Sequence, residues 1–152
     1  MTIINEIGEK FKKLPAVLSE YDKELDLIES RLTLENITLE RANMENPTWL
    51  SFYDQKKVEL KILNDYMEMR VNQCRGRLFA RYKENNMVSL NATEINQYIN
   101  NEDAYVELFE ILLEVQEMYE KYKQVIEAFK ARGYALNNIT KIRVASLEDV
   151  IL

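Results

Sequence analysis

The chain has 152 residues, of which 47% are hydrophobic and 30% charged, with a formal charge of −6, three glycines and two prolines. This length suits one domain with a real core, and so few glycines and prolines favour long helices over strands and tight turns. A single cysteine excludes an intrachain disulfide, and the absence of histidine excludes Ser–His and Cys–His catalytic pairs and histidine metal sites. We therefore expect an all-α protein.

Residues 1–45 are predicted to form an N-terminal coiled-coil helix. Pro15 is tolerated only in a first turn, so the main helix should begin near it and run to about Asn43. Asn46-Pro47 is the predicted break, with Asn46 as a cap and Pro47 as the first residue of the next helix. The seam itself advances in steps of three and four residues, with only Glu35 breaking its apolar register, through Phe11, Leu14, Leu18, Tyr21, Leu25, Ile28, Leu32, Glu35, Leu39 and Ala42.

Residues 46–100 are predicted to hold a second, basic helix over 47–83 and a connecting loop. The short connection makes the first two helices antiparallel neighbours, which gives a long helical hairpin with coiled-coil-like packing. Within the loop, Asn91 and Glu94 have the spacing of a capping box and predict a short helix over residues 92–98.

The end of the second helix is basic and aromatic. Residues 46–85 hold 8 Lys+Arg against 5 Asp+Glu, whereas residues 1–45 hold 6 against 10 and residues 86–152 hold 6 against 11. Guanidinium groups pair with phosphates, and aromatic rings stack bases without a sequence preference. The alternative is that these arginines balance neighbouring glutamates and that Phe79 is core. The candidate contacts for single-stranded nucleic acid are Arg70, Arg75, Arg77, Phe79, Arg81, Tyr82 and Lys83.

Residues 101–152 are predicted to form an oligomerisation helix and a C-terminal tail. Asn101 should cap the helix, Gly133 should end it, and a further short helix is expected over residues 139–144. Two adjacent apolar seams make a stripe wider than a two-stranded coiled coil uses, so this helix should be buried by its own chain or by copies of itself. The predicted homo-oligomer interface consists of Phe109, Leu112, Val115, Tyr119, Tyr122, Ile126 and Phe129.

From Pro47 onward, a succession of segments resembles the UvsY family of recombination mediators from T-even-type bacteriophages. The segments lie at residues 47–50, 72–83, 90–99, 101–103 and 131–138, and it is their order and spacing that carry the resemblance. Residues 1–45 have no counterpart in that family and are interpreted as an addition to its fold.

The resemblance implies a non-enzymatic accessory factor of homologous recombination and repair. Members of the family form ring-shaped homo-oligomers through their C-terminal helices and bind single-stranded DNA. They help a RecA-like recombinase to load onto DNA that a single-strand-binding protein already covers, which here implies the cytoplasm of a bacterial host cell. The positions that best match the DNA contacts of the family are Arg70, Arg75, Arg77, Arg81 and Lys83.

Two other classes of function fit the pattern. A helical hairpin with this seam is also typical of a prefoldin-like chaperone or a coiled-coil assembly adaptor with no DNA binding. A small acidic inhibitor that mimics DNA is a third class, although Lys121 and Lys123 interrupt its acidic face. An enzyme is not expected, because no Gly-rich phosphate loop, metal-ligand cluster or paired nucleophile and base is present. No cofactor, metal or membrane span is expected either.

Overall fold

A computed structural model describes residues 13–85 and 88–151 of the chain. The described residues form helices and no strand, which confirms the all-α prediction. The helices are α1 (Leu14–Leu25), α2 (Ile28–Leu32), α3 (Leu39–Asn85), α4 (Ala92–Ile99) and α5 (Asp103–Ile151). The chain divides into two compact units: unit 1 contains Leu60–Tyr119, and unit 2 contains Leu14–Glu59 and Glu120–Leu152. Residues of α3 and α5 contribute to both units.

The first long break in the helices lies at residues 33–38, well before the predicted break at Asn46-Pro47. Asn36 has a φ of 57°, in the left-handed region that asparagine enters more easily than most residues. The hydroxyl of Thr38 then accepts a hydrogen bond from the backbone N–H of Arg41 at 3.2 Å and caps the first turn of α3. The prediction of one helix continuing to about residue 43 is therefore wrong, because local turn and capping chemistry overrides the apolar seam.

Pro47 lies inside α3 and Gly133 lies inside α5, so neither residue acts as the predicted helix boundary. The side-chain amide of Asn46 is buried and donates to the backbone carbonyl of Phe129 at 3.2 Å. A Cβ added to Gly133 would lie 3.0 Å from the same amide nitrogen. Close packing of α3 on α5 in unit 2 explains why a glycine stands at position 133. The same packing offsets the loss of the backbone hydrogen bond that Pro47 cannot donate.

The boundaries of α5 also differ from the prediction. The helix begins at Asp103, two residues after the predicted cap, while the side chain of Asn101 donates to the carbonyl of Gln97 at 2.9 Å. The separate helix predicted over residues 139–144 is part of α5. The signals for that interruption were Gly133 and possible caps at Asn137 or Asn138, but the close approach of Gly133 to α3 requires a small residue rather than a helix end.

An aromatic cluster forms the core of unit 2. The ring of Tyr53 stacks on Phe129 with centroids 5.2 Å apart and lies 6.1 Å from Tyr122. The hydroxyl of Tyr122 donates to the backbone carbonyl of Tyr21 at 2.9 Å, and the hydroxyl of Tyr21 donates to Glu59 at 2.6 Å. Burial raises the pKa of both Tyr21 and Tyr122 above the usual tyrosine value. The cluster thus holds α1, α3 and α5 together within unit 2.

The core of unit 1 is mostly aliphatic, and α4 packs against it. The predicted capping box is confirmed: the Asn91 side chain accepts from the N–H of Glu94, and the Glu94 carboxylate accepts from the N–H of Asn91, both at 2.9 Å. The capped helix buries Ile95 and Ile99. The other buried side chains of this unit are Leu60, Leu63, Met67, Val71, Cys74, Leu78, Tyr105, Leu112, Val115 and Met118.

The chain itself covers most of the predicted oligomer interface. Phe109 is 39% exposed, and Tyr119 is partly exposed. The other five side chains, between 0% and 5% exposed, are Leu112, Val115, Tyr122, Ile126 and Phe129. At these five positions the wide apolar stripe of α5 is covered by α1, α3 and α4 of the same chain, which is one of the two explanations that the sequence left open. An interface between copies stays a prediction.

Candidate nucleic-acid interface

The predicted contact segment lies in unit 1, at the C-terminal end of α3 beside α4 and the start of α5. Arg77 and Arg81 are exposed and four residues apart, so they lie on one side of the helix. Lys83 is also exposed, but its helical spacing places it on a different side. We use the name basic pair for Arg77 and Arg81.

Arg75 holds α3, α4 and α5 together. Its Nη1 donates to Asn96 Oδ1 at 2.9 Å, and its Nη2 donates to Asn100 Oδ1 at 3.2 Å and to the Tyr105 hydroxyl at 2.6 Å. The guanidinium also lies 4.7 Å from the centre of the Tyr105 ring. These contacts occupy both terminal nitrogens and one face of the guanidinium. The geometry therefore gives Arg75 a structural role, in place of the predicted phosphate contact.

Arg81 and Tyr82 share one acidic partner. Arg81 Nη2 lies 2.8 Å from Glu102 Oε1, and the Tyr82 hydroxyl donates to the same oxygen. The hydrogen bond from Tyr82 makes the largest contribution to the lowered pKa of Glu102. The same bond raises the pKa of Tyr82. The Arg81 side chain is still 55% exposed. Its guanidinium consequently has surface left for a phosphate, in competition with Glu102.

Two tyrosines form a stacked pair beside the basic pair. The rings of Tyr82 and Tyr98 have centroids 5.5 Å apart and an interplanar angle of 18°. Tyr98 is 52% exposed, and the guanidinium of Arg81 lies 5.7 Å from the centre of the Tyr82 ring. Sequence reasoning missed Tyr98, because it lies on α4 rather than in the basic segment. The helical pattern of α4 could have identified Tyr98, because the residue next to the buried Ile99 lies on the exposed side of this helix.

The remaining predicted contacts are less available. Arg70 is half-buried, and its Nη1 lies 3.4 Å from Gln73 Oε1. Phe79 is also half-buried. Residues 60–119 hold 6 Lys+Arg and 10 Asp+Glu, so their formal charge is 6 − 10 = −4. The exposed cations at the end of α3 in this acidic range are Arg77, Arg81 and Lys83.

None of the helices in the described ranges is both long enough and apolar enough to cross a membrane. Searches against protein-family models, curated proteins and solved structures find no match to this chain.

Proposed function

We propose that the chain binds single-stranded DNA at the end of α3 in unit 1. The observation that carries this proposal is the stacked pair of Tyr82 and Tyr98 beside Arg77 and Arg81. Phosphates contact the basic pair, and a base stacks on the exposed face of Tyr98. Lys83 provides a further cation on another side of the helix. Neither a phosphate contact nor base stacking requires a particular DNA sequence.

The proposed biological role is that of a recombination mediator. The resemblance to the UvsY family supports this role, in which the protein assists a RecA-like recombinase on DNA that a single-strand-binding protein covers. A homo-oligomeric ring would multiply a small contact site into a continuous track. On α5, Phe109 and Leu113 are 39% and 48% exposed and provide apolar surface for contacts between copies.

The stacking contact is tested by replacing Tyr98 with alanine. Each base stacked on an aromatic side chain contributes about 1–3 kcal/mol, so Tyr98→Ala should weaken the binding of a fluorescent oligonucleotide by about 5- to 150-fold. Tyr134→Ala is the matched control, since Tyr134 is a 71% exposed tyrosine of α5. Equal affinities of the two variants, measured by anisotropy in the same buffer, would exclude Tyr98 as a stacking platform.

A second candidate function is that of a coiled-coil adaptor or prefoldin-like chaperone. It is favoured by exposed apolar side chains near the end of α5, where Tyr134, Ile142 and Val144 are 71%, 66% and 50% exposed. Exposed apolar side chains of this size can take part in surfaces that bind other proteins. This candidate predicts no binding of single-stranded DNA at low salt. It also predicts that Ile142→Glu abolishes the binding of a purified protein partner.

A further inference from the structure

Arg132 is a buried cation of unit 2 whose hydrogen bonds go to neutral groups. The residue is 5% exposed, and its Nε donates to the carbonyl of Leu32 at 3.1 Å. Its Nη1 donates to the carbonyl of Ala42 at 3.3 Å and to Asn46 Oδ1 at 3.1 Å. No carboxylate among the described residues forms an ion pair with it, and its buried Nη2 has no hydrogen-bond partner there.

An uncompensated charge of this kind is costly. Burial lowers the pKa of the Arg132 guanidinium, but arginine stays protonated in proteins at any ordinary pH. Buried charges are normally paired, and a buried donor without an acceptor loses the free energy of its hydration. The hydrogen bonds to Leu32, Ala42 and Asn46 satisfy part of the guanidinium, and the nearby Glu45 acts on its charge through space without forming an ion pair with it. A counter-ion that comes from outside the chain would satisfy this need.

Arg132 lines a cavity with a volume of about 290 Å³, together with Arg31 and Arg41. Arg41 Nε pairs with Glu45 at 2.6 Å, and its side chain is 72% exposed, so its terminal nitrogens have room to bind a ligand. Arg31 is paired with Glu24 and lies 4.1 Å from the centre of the Trp49 ring. The largely exposed Arg41 therefore supplies a second guanidinium at this cavity.

We propose that this cavity is a binding site for a small oxyanion, a carboxylate or a phosphate, which serves as the counter-ion of Arg132. Guanidinium forks match the geometry of both groups, and the hydroxyl of Thr33 lines the same cavity. The lining holds three arginines and two carboxylates, Glu35 and Glu45, and Arg31 is paired in addition with Glu24. All these residues belong to unit 2, so the proposal is independent of the DNA site.

The experiment uses the full chain and its single tryptophan. Trp49 lines the cavity, so its fluorescence reports on the site, and a ligand that binds only the folded state raises the midpoint of thermal unfolding. Inorganic phosphate and acetate are titrated separately, with sodium chloride keeping the ionic strength constant. We expect a saturable change with at least one of them, and the anion with the lower saturation midpoint identifies the favoured chemistry.

Variants decide whether the response comes from this cavity. Arg41→Gln keeps the fold, because the side chain is largely exposed, and should raise the saturation midpoint about tenfold, the loss of one charge-assisted contact. Arg143→Gln removes an exposed arginine of α5 that does not line this cavity and should leave the midpoint unchanged. The proposal is overturned if neither anion gives saturation beyond the effect of chloride. It is also overturned if Arg41→Gln matches the unsubstituted protein.

Discussion

Replacing Arg75 separates a structural arginine from a ligand contact. The substitution Arg75→Met keeps the aliphatic stem but removes the donors to Asn96, Asn100 and Tyr105. It also removes the stacking of the guanidinium on the Tyr105 ring. Unit 1 should lose stability, because no other contact of this kind holds α4 against both α3 and α5 among the described residues.

The expected loss follows from these contacts. Each net hydrogen bond of a half-exposed side chain contributes about 0.5–1 kcal/mol, and the cation–π contact contributes about 0.5–1 kcal/mol. Because contacts that share one guanidinium are not additive, we expect Arg75→Met to lower the free energy of unfolding by about 2 kcal/mol. Arg75→Lys keeps the charge but not the planar fork, and it should lose more than half of that amount.

Urea denaturation followed by circular dichroism measures this difference. With a slope of about 2 kcal/mol per molar urea for a chain of this size, the midpoint of Arg75→Met should fall by about 1 M. Arg77→Met is the control, since Arg77 is exposed on the same helix and should change the midpoint little. Equal midpoints for the two variants would show that Arg75 does not hold α4 in place.

The substitution of Gly76, Gly133 and the buried tyrosines gives the remaining predictions. Gly76→Ala should raise stability by about 0.5–1 kcal/mol, because nothing lies within 4 Å of the new Cβ and alanine favours the helix. Gly133→Ala should not raise stability, since its Cβ would meet the Asn46 amide at 3.0 Å. In an Asn46→Ala background the same substitution should raise stability as Gly76→Ala does. A loss of stability in both backgrounds would refute the close approach. For Tyr21 and Tyr122, burial raises the pKa in the folded state above the value of about 10 in the unfolded state. The folded protein then binds more protons above pH 10, so stability is complete below pH 10 and falls as the pH rises beyond it. Thermal midpoints between pH 8 and 11 should therefore fall less steeply for Tyr122→Phe, and identical pH profiles would contradict the raised pKa.

The helical class and the capped α4 were predictable because both depend on local chemistry. Few glycines and prolines favour helices, and the capping box of Asn91 and Glu94 needs only its own four residues. The break before α3 was missed although its signals are also local. Asn36 and Thr38 are a turn residue and a cap, but the apolar seam through Leu32 and Leu39 continued across them.

The errors at Pro47 and Gly133 have a single tertiary cause. Each residue breaks helices in isolation, yet in unit 2 the two helices pack so closely that Asn46 contacts the backbone at Phe129. Local propensities do not predict contacts between residues so far apart in the sequence. The roles of Arg75 and Tyr98 were missed for the same reason, since each depends on where α4 packs.

The salt dependence of DNA binding tests the proposed function most directly. The logarithm of the affinity for a single-stranded oligonucleotide should fall linearly with the logarithm of the salt concentration, by about 0.7 for each phosphate contacted. With one phosphate on each arginine of the basic pair, Arg77→Gln should reduce that slope to about half. Arg143→Gln, the same change of charge on α5, should leave it unchanged. The absence of binding at low salt, or equal slopes for the two variants, would contradict a DNA site at the end of α3.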